Sequence, residues 1–261
     1  MEKIKVSAVS YLNTKPFLYG IEHSPIMDEI ELSLDIPSVC ASKLLKGEVD
    51  LGLVPVAIIP ELNEQHLFGK RACLISDYCI CATGAVRTVC IYSQVPIEQV
   101  KTIYLDYQSR TSIELTKILL RHFWKIEPKL IHAKKEYERK ISKTVAGLVI
   151  GDRAIDMSLN YEYEYDLGEV WKEMTGLPFV FAAWISNHLL PIDFTDKFNL
   201  ALKSGVENIP LVAAQLQANY PPAFDVLNYL QNNISYPLDE EKRKGMELFL
   251  NYMKEGNNDA K

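Results

Sequence analysis

The chain has 261 residues, of which 48% are hydrophobic and 24% charged, so it is long enough and apolar enough to bury a large core. Its net charge of −6 and the lack of a long basic run argue against nucleic-acid binding, although local N–H groups could still hold a small anion. No apolar run approaches the length of a membrane span, and no signal peptide is found, so we expect a cytoplasmic protein without a membrane partner.

The first predicted element is a strand that leads into a polar turn. Apolar and polar residues alternate over residues 4–9, which is the period of a half-buried strand. The stretch Ser10–Pro16 follows, and Pro16 fits the first turn of a helix because its missing N–H costs nothing there. Free N–H groups and the helix dipole favour negative charge at such a turn, so the stretch could bind an anion. An ordinary capped helix is the alternative.

Two further strands and another helix follow in the first part of the chain. Residues 30–36 alternate strictly, residues 39–46 have apolar side chains at helical spacing with Gly47 as the C-cap, and residues 50–55 form a short strand. This repetition predicts a parallel α/β sheet, in which ligands bind outside the carboxyl ends of the strands. The residues at these strand ends are Ser38, Val54 and Pro55, and we expect them to line the ligand site. The alternative is that they only pack in ordinary loops.

The pattern in the middle of the chain predicts a second series of alternating strands and helices. A β-rich segment over residues 78–93 is interrupted at its centre, and a strand over residues 102–105 leads into the polar loop 106–112. An amphipathic helix is predicted over residues 113–124, and a buried strand over residues 146–152 ends in Gly-Asp. This series again brings polar residues to the carboxyl ends of strands.

The last part of the chain is predicted to be mostly helical. Residues 158–170, with three tyrosines and several acids, favour a surface strand or loop, and residues 177–185 are strand-like. The predicted helices beyond them cover residues 194–208, 210–219 and 240–254.

The two series of alternating strands and helices are joined by β segments near residues 86–93 and 178–185, and this arrangement predicts two lobes. We expect residues 1–87 plus 186–261 to form a discontinuous lobe I and residues 88–185 to form lobe II. A cleft between two lobes is a natural ligand site.

The five cysteines are expected to be reduced thiols. Their number is odd and no CxxC motif occurs. Cys79 and Cys81 would share one face of a strand, where they are more readily explained as buried apolar thiols than as metal ligands. We therefore predict no metal site.

Short motifs over residues 4–186 occur in an order that is typical of one enzyme family. They are Ser10–Pro16, Pro37-Ser38 with Leu45-x-Gly47-x-x-Asp50, Gly52–Val56, Gly84-x-Val86-x-Thr88-Val89, Ser109–Ser112, Ile150–Ala154, and Asp166–Gly168 with Trp171 and Thr175–Ala182. In these motifs the chain resembles the chorismate dehydratases of the futalosine route to menaquinone.

The resemblance implies a fold and a reaction. The fold is the two-lobed α/β fold of the periplasmic-binding-protein type II class, with the site in the inter-lobe cleft. The reaction is dehydration of chorismate, a dicarboxylate, to 3-[(1-carboxyvinyl)oxy]benzoate, without a cofactor. A sister enzyme of the pathway, 1,4-dihydroxy-6-naphthoate synthase, shares this fold, but its N-terminal loop is built on a Cys-Pro-Asn-Asp type of sequence. A non-enzymatic solute-binding protein of the same fold is a further alternative.

The resemblance also implies site residues. Asn13 and Thr88 are the predicted catalytic residues, and Thr88 keeps a hydroxyl where the family often has Ser. The predicted substrate-binding residues are Ser10, Tyr11, Thr14, Ser38, Val54, Pro55, Ser109, Arg110, Thr111, Ser112, Gly151 and Asp152.

Two questions about the chemistry stay open at this point. The proton acceptor could be Asp106, Asp152 or the enolpyruvyl carboxylate of the substrate itself. The stretch Ser109–Ser112 could bind a substrate carboxylate at the start of its helix, or it could only cap that helix while Arg110 points into solvent.

Overall fold

The computed structural model describes residues 3–64, 72–157 and 160–259 of the chain. The helices and strands are, in chain order, β1 Ile4–Val9, α1 Lys15–Glu22, β2 Ile30–Asp35, α2 Pro37–Lys46, β3 Leu51–Pro55, α3 Ile59–Glu64, β4 Cys73–Ala82, β5 Val89–Ser93, β6 Thr102–Leu105, α4 Thr111–Leu119, β7 Lys129–His132, β8 Val145–Ile150, β9 Tyr163–Asp166, α5 Leu167–Thr175, β10 Phe179–Ser186, α6 Ile192–Glu207, α7 Ile209–Leu216, α8 Val226–Asn228, β11 Ser235–Pro237 and α9 Glu240–Asp259.

The chain forms two compact units, and neither is a continuous stretch of sequence. Unit 1 comprises Met1–Cys81 and Val180–Glu240, and unit 2 comprises Ala82–Phe179 and Glu241–Lys261. This division differs from the predicted lobes mainly at the C-terminus, because α9 belongs to unit 2. An amphipathic helix carries no local signal for which of two cores will receive its apolar face.

Unit 1 is built on a six-stranded sheet with the strand order β11-β4-β10-β3-β1-β2. β1 runs parallel to both β2 and β3, whereas β10 is antiparallel to β3. The carboxyl ends of β1, β2 and β3 therefore lie at one edge of the sheet, as the sequence predicted. This edge carries the turn that begins at Ser10.

Two glycines allow α1 and α6 of unit 1 to touch through their backbones. A Cβ atom on Gly20 would lie 1.9 Å from the carbonyl oxygen of Ala201, and one on Gly205 would lie 1.8 Å from that of Pro16. Beside this contact, the buried ring of Phe17 packs against the rings of Trp184 and Tyr236, with centroids 6.0 and 5.1 Å away. The start of α1 is therefore held on several sides.

Unit 2 is built on a five-stranded sheet with the order β7-β6-β8-β5-β9. β6 runs parallel to β7 and β8, whereas β5 is antiparallel to β8 and β9. The fully buried Phe249 of α9 completes the core here, with its ring 5.1 Å from that of Phe179 and 6.4 Å from that of Trp171.

The structure corrects several predicted elements. α4 begins at Thr111 and ends at Leu119, and the predicted helix continues only as a π-helical turn over Leu120–Trp124. Part of the segment predicted as surface strand or loop, residues 158–170, is instead the start of α5, and residues 158–159 lie outside the described residues. The short elements α3, β7 and β11 were not predicted. Within the described ranges, no helix is both long and apolar enough to span a bilayer.

Candidate functional site

Asn13 lies in the turn that follows β1 in unit 1. The turn is one round of 3-10 helix over Leu12–Thr14, and α1 begins directly after it with Pro16 in its first turn. The Oδ1 atom of Asn13 accepts a hydrogen bond from Thr14 Oγ1 at 3.3 Å. Across the described residues, the amide nitrogen of Asn13 donates to no protein acceptor, and the side chain is only half-buried. It is therefore available to a ligand.

Tyr236 fixes the backbone of this turn from a distant part of the chain. Its hydroxyl donates to the main-chain oxygen of Asn13 at 3.1 Å, and its ring is almost completely buried against Phe17. Burial raises the pKa of Tyr236 well above its ordinary value, and Tyr229 adds to the shift, so the hydroxyl stays protonated and remains a donor. Sequence reasoning missed Tyr236 because no local pattern links β11 to a turn near the N-terminus.

A polar cluster around Asp35 joins the carboxyl ends of β1 and β2. Asp35 Oδ2 accepts from Lys43 Nζ at 2.5 Å, from Ser7 Oγ at 2.9 Å and from Ser33 Oγ at 3.2 Å. Burial raises the pKa of Asp35, but the hydrogen bonds from Lys43 and Ser7 outweigh it and leave this pKa below its ordinary value. The main-chain oxygen of Asp35 also accepts from Ser10 N at 3.0 Å, so the cluster anchors the turn.

The predicted unit 1 residues differ in their accessibility. Ser10, Tyr11 and Ser38 are partly exposed, whereas the structure buries Thr14, Val54 and Pro55. Ser38 lies in the first turn of α2, next to Pro37. Over the part of the chain that the structure describes, the hydroxyls of Ser10 and Ser38 have no protein partner, which leaves both hydroxyls available to a ligand.

The start of α4 in unit 2 has the geometry of a capped helix. Ser109 Oγ accepts from Ser112 N at 2.9 Å, which satisfies one of the N–H groups that a helix start leaves without a partner. Ser109, Thr111 and Ser112 are buried, and Arg110 is half-buried instead of fully exposed to solvent. The hydroxyl hydrogen of Ser109 is not used by this cap, so capping and anion binding are compatible here.

Asp106 is the centre of a buried network at the carboxyl ends of β6 and β8. Its Oδ2 atom accepts from Tyr137 Oη and from Ile150 N, each at 3.0 Å, and also from an Nη atom of Arg153, while Oδ1 accepts from Gln108 N at 2.9 Å. Burial raises the pKa of Asp106, and the charge of Arg153 opposes that shift. Asp106 is fully buried and both of its oxygens already accept hydrogen bonds from protein groups, so it is poorly placed to receive a proton from a substrate.

Arg153 links this network to the turn that carries Gly151 and Asp152. It pairs with both Asp106 and Glu138. Burial lowers the pKa of Arg153, but the two carboxylates outweigh it and raise this pKa above the ordinary value. Gly151 has a positive φ of 66° and Asp152 is half-buried, so the network holds this turn beside the loop that precedes α4.

Thr88 lies in the irregular segment between β4 and β5. It is 1% exposed, its Oγ1 atom donates to the main-chain oxygen of Val86 at 3.5 Å, and its own main-chain oxygen accepts from Gly151 N at 2.9 Å. The segment is bound to Asp166, whose carboxylate accepts from Val86 N at 3.1 Å and from Arg87 N at 2.6 Å. Asp166 belongs to a sequence motif noted above, but its type and spacing gave no reason to expect this role.

Two other regions differ from the residues described so far. In the described ranges, no three His, Cys, Asp or Glu side chains are grouped so that they could hold a metal ion, and Cys79 and Cys81 are buried thiols. A surface pocket of about 660 Å³ lies in unit 2 at the end of α4, where His122 and Tyr252 contact each other, and no predicted site residue lines it. Lys117 and Arg121 line this pocket. Their position at and just beyond the C-terminal end of α4 explains their charge, because cations interact favourably with the negative end of the helix dipole.

Comparison with known proteins gives the family relationship and the fold. A family model described as menaquinone biosynthesis matches residues 4–255. The curated chorismate dehydratase of Thermus thermophilus is 25% identical over 264 aligned residues, which cover 92% of this chain and 91% of that protein. A solved structure from Archaeoglobus fulgidus matches with a TM-score of 0.72 at 14% identity, and the match covers 98% of each chain.

A second solved structure names the fold. It is a Candida albicans protein described as having the generic periplasmic binding protein fold, and it matches with a TM-score of 0.58 at 10% identity over 95% of this chain and 90% of its own. The predicted periplasmic-binding-protein-like α/β fold is thereby confirmed.

Proposed function

Because the chain belongs to the menaquinone biosynthesis family, we propose that it is a chorismate dehydratase, which converts chorismate to 3-[(1-carboxyvinyl)oxy]benzoate and water. The named activity of the Thermus thermophilus relative supports this reaction. The observation that carries the proposal is the amide nitrogen of Asn13, which has no protein acceptor among the described residues. A half-buried donor on a fixed backbone suits a hydrogen bond to a substrate oxygen.

The chemistry of chorismate defines what the protein must supply. Chorismate carries two carboxylates, a hydroxyl at C4 and an enolpyruvyl ether at C3. Loss of the C3 proton and of the C4 hydroxyl releases one water molecule and leaves an aromatic ring, so the product is favoured by the substrate's own structure. The protein must therefore orient the leaving hydroxyl and the proton acceptor, and stabilise charge on the conjugated ring carboxylate.

We assign the proton acceptor to the enolpyruvyl carboxylate of the substrate. Asp106 is unsuited to this role because protein donors already occupy both of its oxygens. In this mechanism the enolpyruvyl carboxylate takes the C3 proton and passes it to the C4 hydroxyl, which leaves as water when the C4–O bond breaks. The amide of Asn13 donates a hydrogen bond to the departing hydroxyl, and the hydroxyl of Thr88 orients the substrate. Both contributions are hydrogen bonds that need no change in the charge of the protein.

The carboxylates of the substrate are assigned to hydroxyl groups and helix starts. In unit 1 the candidates are the hydroxyls of Ser10 and Ser38, and in unit 2 the candidate is the start of α4, where Ser109 retains a hydroxyl hydrogen. The remaining predicted residues, which would border these groups or position them, are Tyr11, Thr14, Val54, Pro55, Arg110, Thr111, Ser112, Gly151 and Asp152. A helix start favours a carboxylate through its dipole and its N–H groups.

The test is incubation of the purified protein with chorismate, followed by detection of the aromatic enol ether by mass spectrometry. Asn13→Ala and the isosteric Asn13→Asp should both lose turnover and remain folded, because the residue lies in a half-buried turn and not in the core. Asn251→Ala on the exposed face of α9 is the matched control and should keep the wild-type rate.

Three results would contradict the proposal. Turnover of a cyclised futalosine derivative in place of chorismate would indicate the sister synthase. Tight binding of chorismate without turnover would indicate a solute-binding protein. A wild-type rate in Asn13→Asp would remove the Asn13 amide from the mechanism.

A further inference from the structure

The carboxylate of Asp166 binds two segments of unit 2 at once. Oδ1 accepts from Gly168 N at 2.9 Å and from Glu169 N at 3.1 Å, which caps the start of α5. The same carboxylate accepts from Val86 N at 3.1 Å and from Arg87 N at 2.6 Å. A cap requires only the first pair of bonds, so the second pair needs its own explanation.

The segment held by the second pair has an unfavourable backbone. It has no regular secondary structure, and Arg87 has a φ of 66°, in the left-handed region that residues other than glycine rarely adopt. Two hydrogen bonds from consecutive N–H groups to one buried carboxylate compensate for this conformation. Without Asp166, the N–H groups of Val86 and Arg87 would lose their acceptor, and the segment would relax.

The start of α5 also presses directly on this segment. A Cβ atom on Gly168 would lie 2.6 Å from the main-chain oxygen of Gly84, so only glycine permits this approach. Thr88 follows Arg87 directly, and its main-chain oxygen is bound by Gly151 N at 2.9 Å. The backbone is therefore fixed on both sides of the point from which the Thr88 side chain leaves.

We propose that Asp166 is a positioning residue, which fixes the backbone of Val86 and Arg87 and thereby sets the orientation of the Thr88 hydroxyl towards the substrate. The inference rests on the proposed function, in which Thr88 contacts chorismate. Asp166 itself is buried, and its carboxylate accepts from four backbone N–H groups and from the thiol of Cys90, so it acts through Thr88 and not on the substrate.

The test is a double-mutant cycle on chorismate turnover with Asp166→Asn, Thr88→Ala and the double variant. Asp166→Asn should lower kcat by about 10- to 100-fold with KM little changed, which is the loss expected from a small displacement of a reacting group. The double variant should be no slower than Thr88→Ala, because Asp166 then has nothing left to position. Asp225→Asn is the matched control, since Asp225 caps α8 through Asn228 N at 2.9 Å, and it should keep the wild-type kcat.

A second variant covers the case in which Asp166→Asn does not fold. Gly168→Ala keeps the carboxylate but pushes the start of α5 against the oxygen of Gly84, so its loss of kcat should also disappear in the Thr88→Ala background. Hydrogen exchange of the amides of residues 86–88 gives a readout that is independent of activity, and exchange should be faster in both variants.

The outcomes separate the inference from the function on which it rests. A double variant that is slower than Thr88→Ala by the full factor of Asp166→Asn would overturn the inference, as would unchanged amide exchange in residues 86–88. Failure of the wild-type protein to dehydrate chorismate would overturn the proposed function itself. A wild-type kcat in Thr88→Ala would overturn the role of Thr88 and, with it, the positioning by Asp166.

Discussion

Replacement of Gly205 by alanine should destabilise unit 1 at the contact between α1 and α6. The new Cβ would lie 1.8 Å from the carbonyl oxygen of Pro16, 2.8 Å from its carbonyl carbon and 3.0 Å from the nitrogen of Gly20. Non-bonded heavy atoms are at their optimal separation at about 3.5–4.0 Å, so the helices would have to move apart by more than about 1 Å. All three obstructing atoms belong to the backbone and cannot rotate away.

The expected size of the effect follows from the cost of overpacking. Extra atoms in a packed interior cost about 1–3 kcal/mol, and we expect the upper end because no side chain can adjust. A loss of about 3 kcal/mol in a chain of this length corresponds to a fall of roughly 6–12 °C in the midpoint of thermal unfolding. The assay is thermal unfolding followed by circular dichroism and differential scanning calorimetry.

The matched control for this substitution is Gly84→Ala. Nothing lies within 4 Å of the Cβ position of Gly84, and its φ is outside the left-handed region, so its midpoint should stay close to that of the wild type. Equal midpoints for Gly205→Ala and Gly84→Ala would refute the reasoning from backbone contact.

Other predictions address the polar contacts. Tyr236→Phe leaves the carbonyl of Asn13 without its donor and should lower the free energy of unfolding by about 1–3 kcal/mol, measured by urea denaturation. The lowered pKa of Asp35 stabilises the fold above the unfolded pKa, so the stability difference between the wild type and Asp35→Asn should shrink as the pH falls below 3.8, measured by urea titrations from pH 7 to pH 3. Arg153→Met leaves the buried carboxylate of Asp106 unpaired and should cost about 3–5 kcal/mol, whereas the double variant with Asp106→Asn should recover part of that loss.

The local parts of the site could be predicted from the sequence because short patterns determine them. Alternating residues followed by a polar turn and Pro16 correctly located the carboxyl end of β1 and the start of α1. The C-cap at Gly47 was equally predictable, since the left-handed conformation with a φ of 71° favours glycine. The strand ends that carry Ser38 and Pro55 followed from the same reasoning.

Contacts between distant residues could not be predicted in this way. The pairing of Asp106 with Arg153 depends on the order of strands in the sheet of unit 2, because 47 residues of sequence separate the two side chains. The bond from Tyr236 to the turn at Asn13 likewise depends on β11 joining a sheet that begins near the N-terminus. Such contacts arise only after the strands have been arranged, so single-sequence periodicity carries no signal for them.

The place of Phe249 in the core of unit 2 has a consequence for protein synthesis. The ribosome releases the chain from its N-terminus, so all five strands of this sheet emerge before α9 does. During that interval the rings of Trp171 and Phe179 lack the partner that later covers them, and Gly245 has not yet brought α9 against Pro178. The nascent chain therefore exposes this aromatic surface until α9 has been synthesised and has left the ribosome.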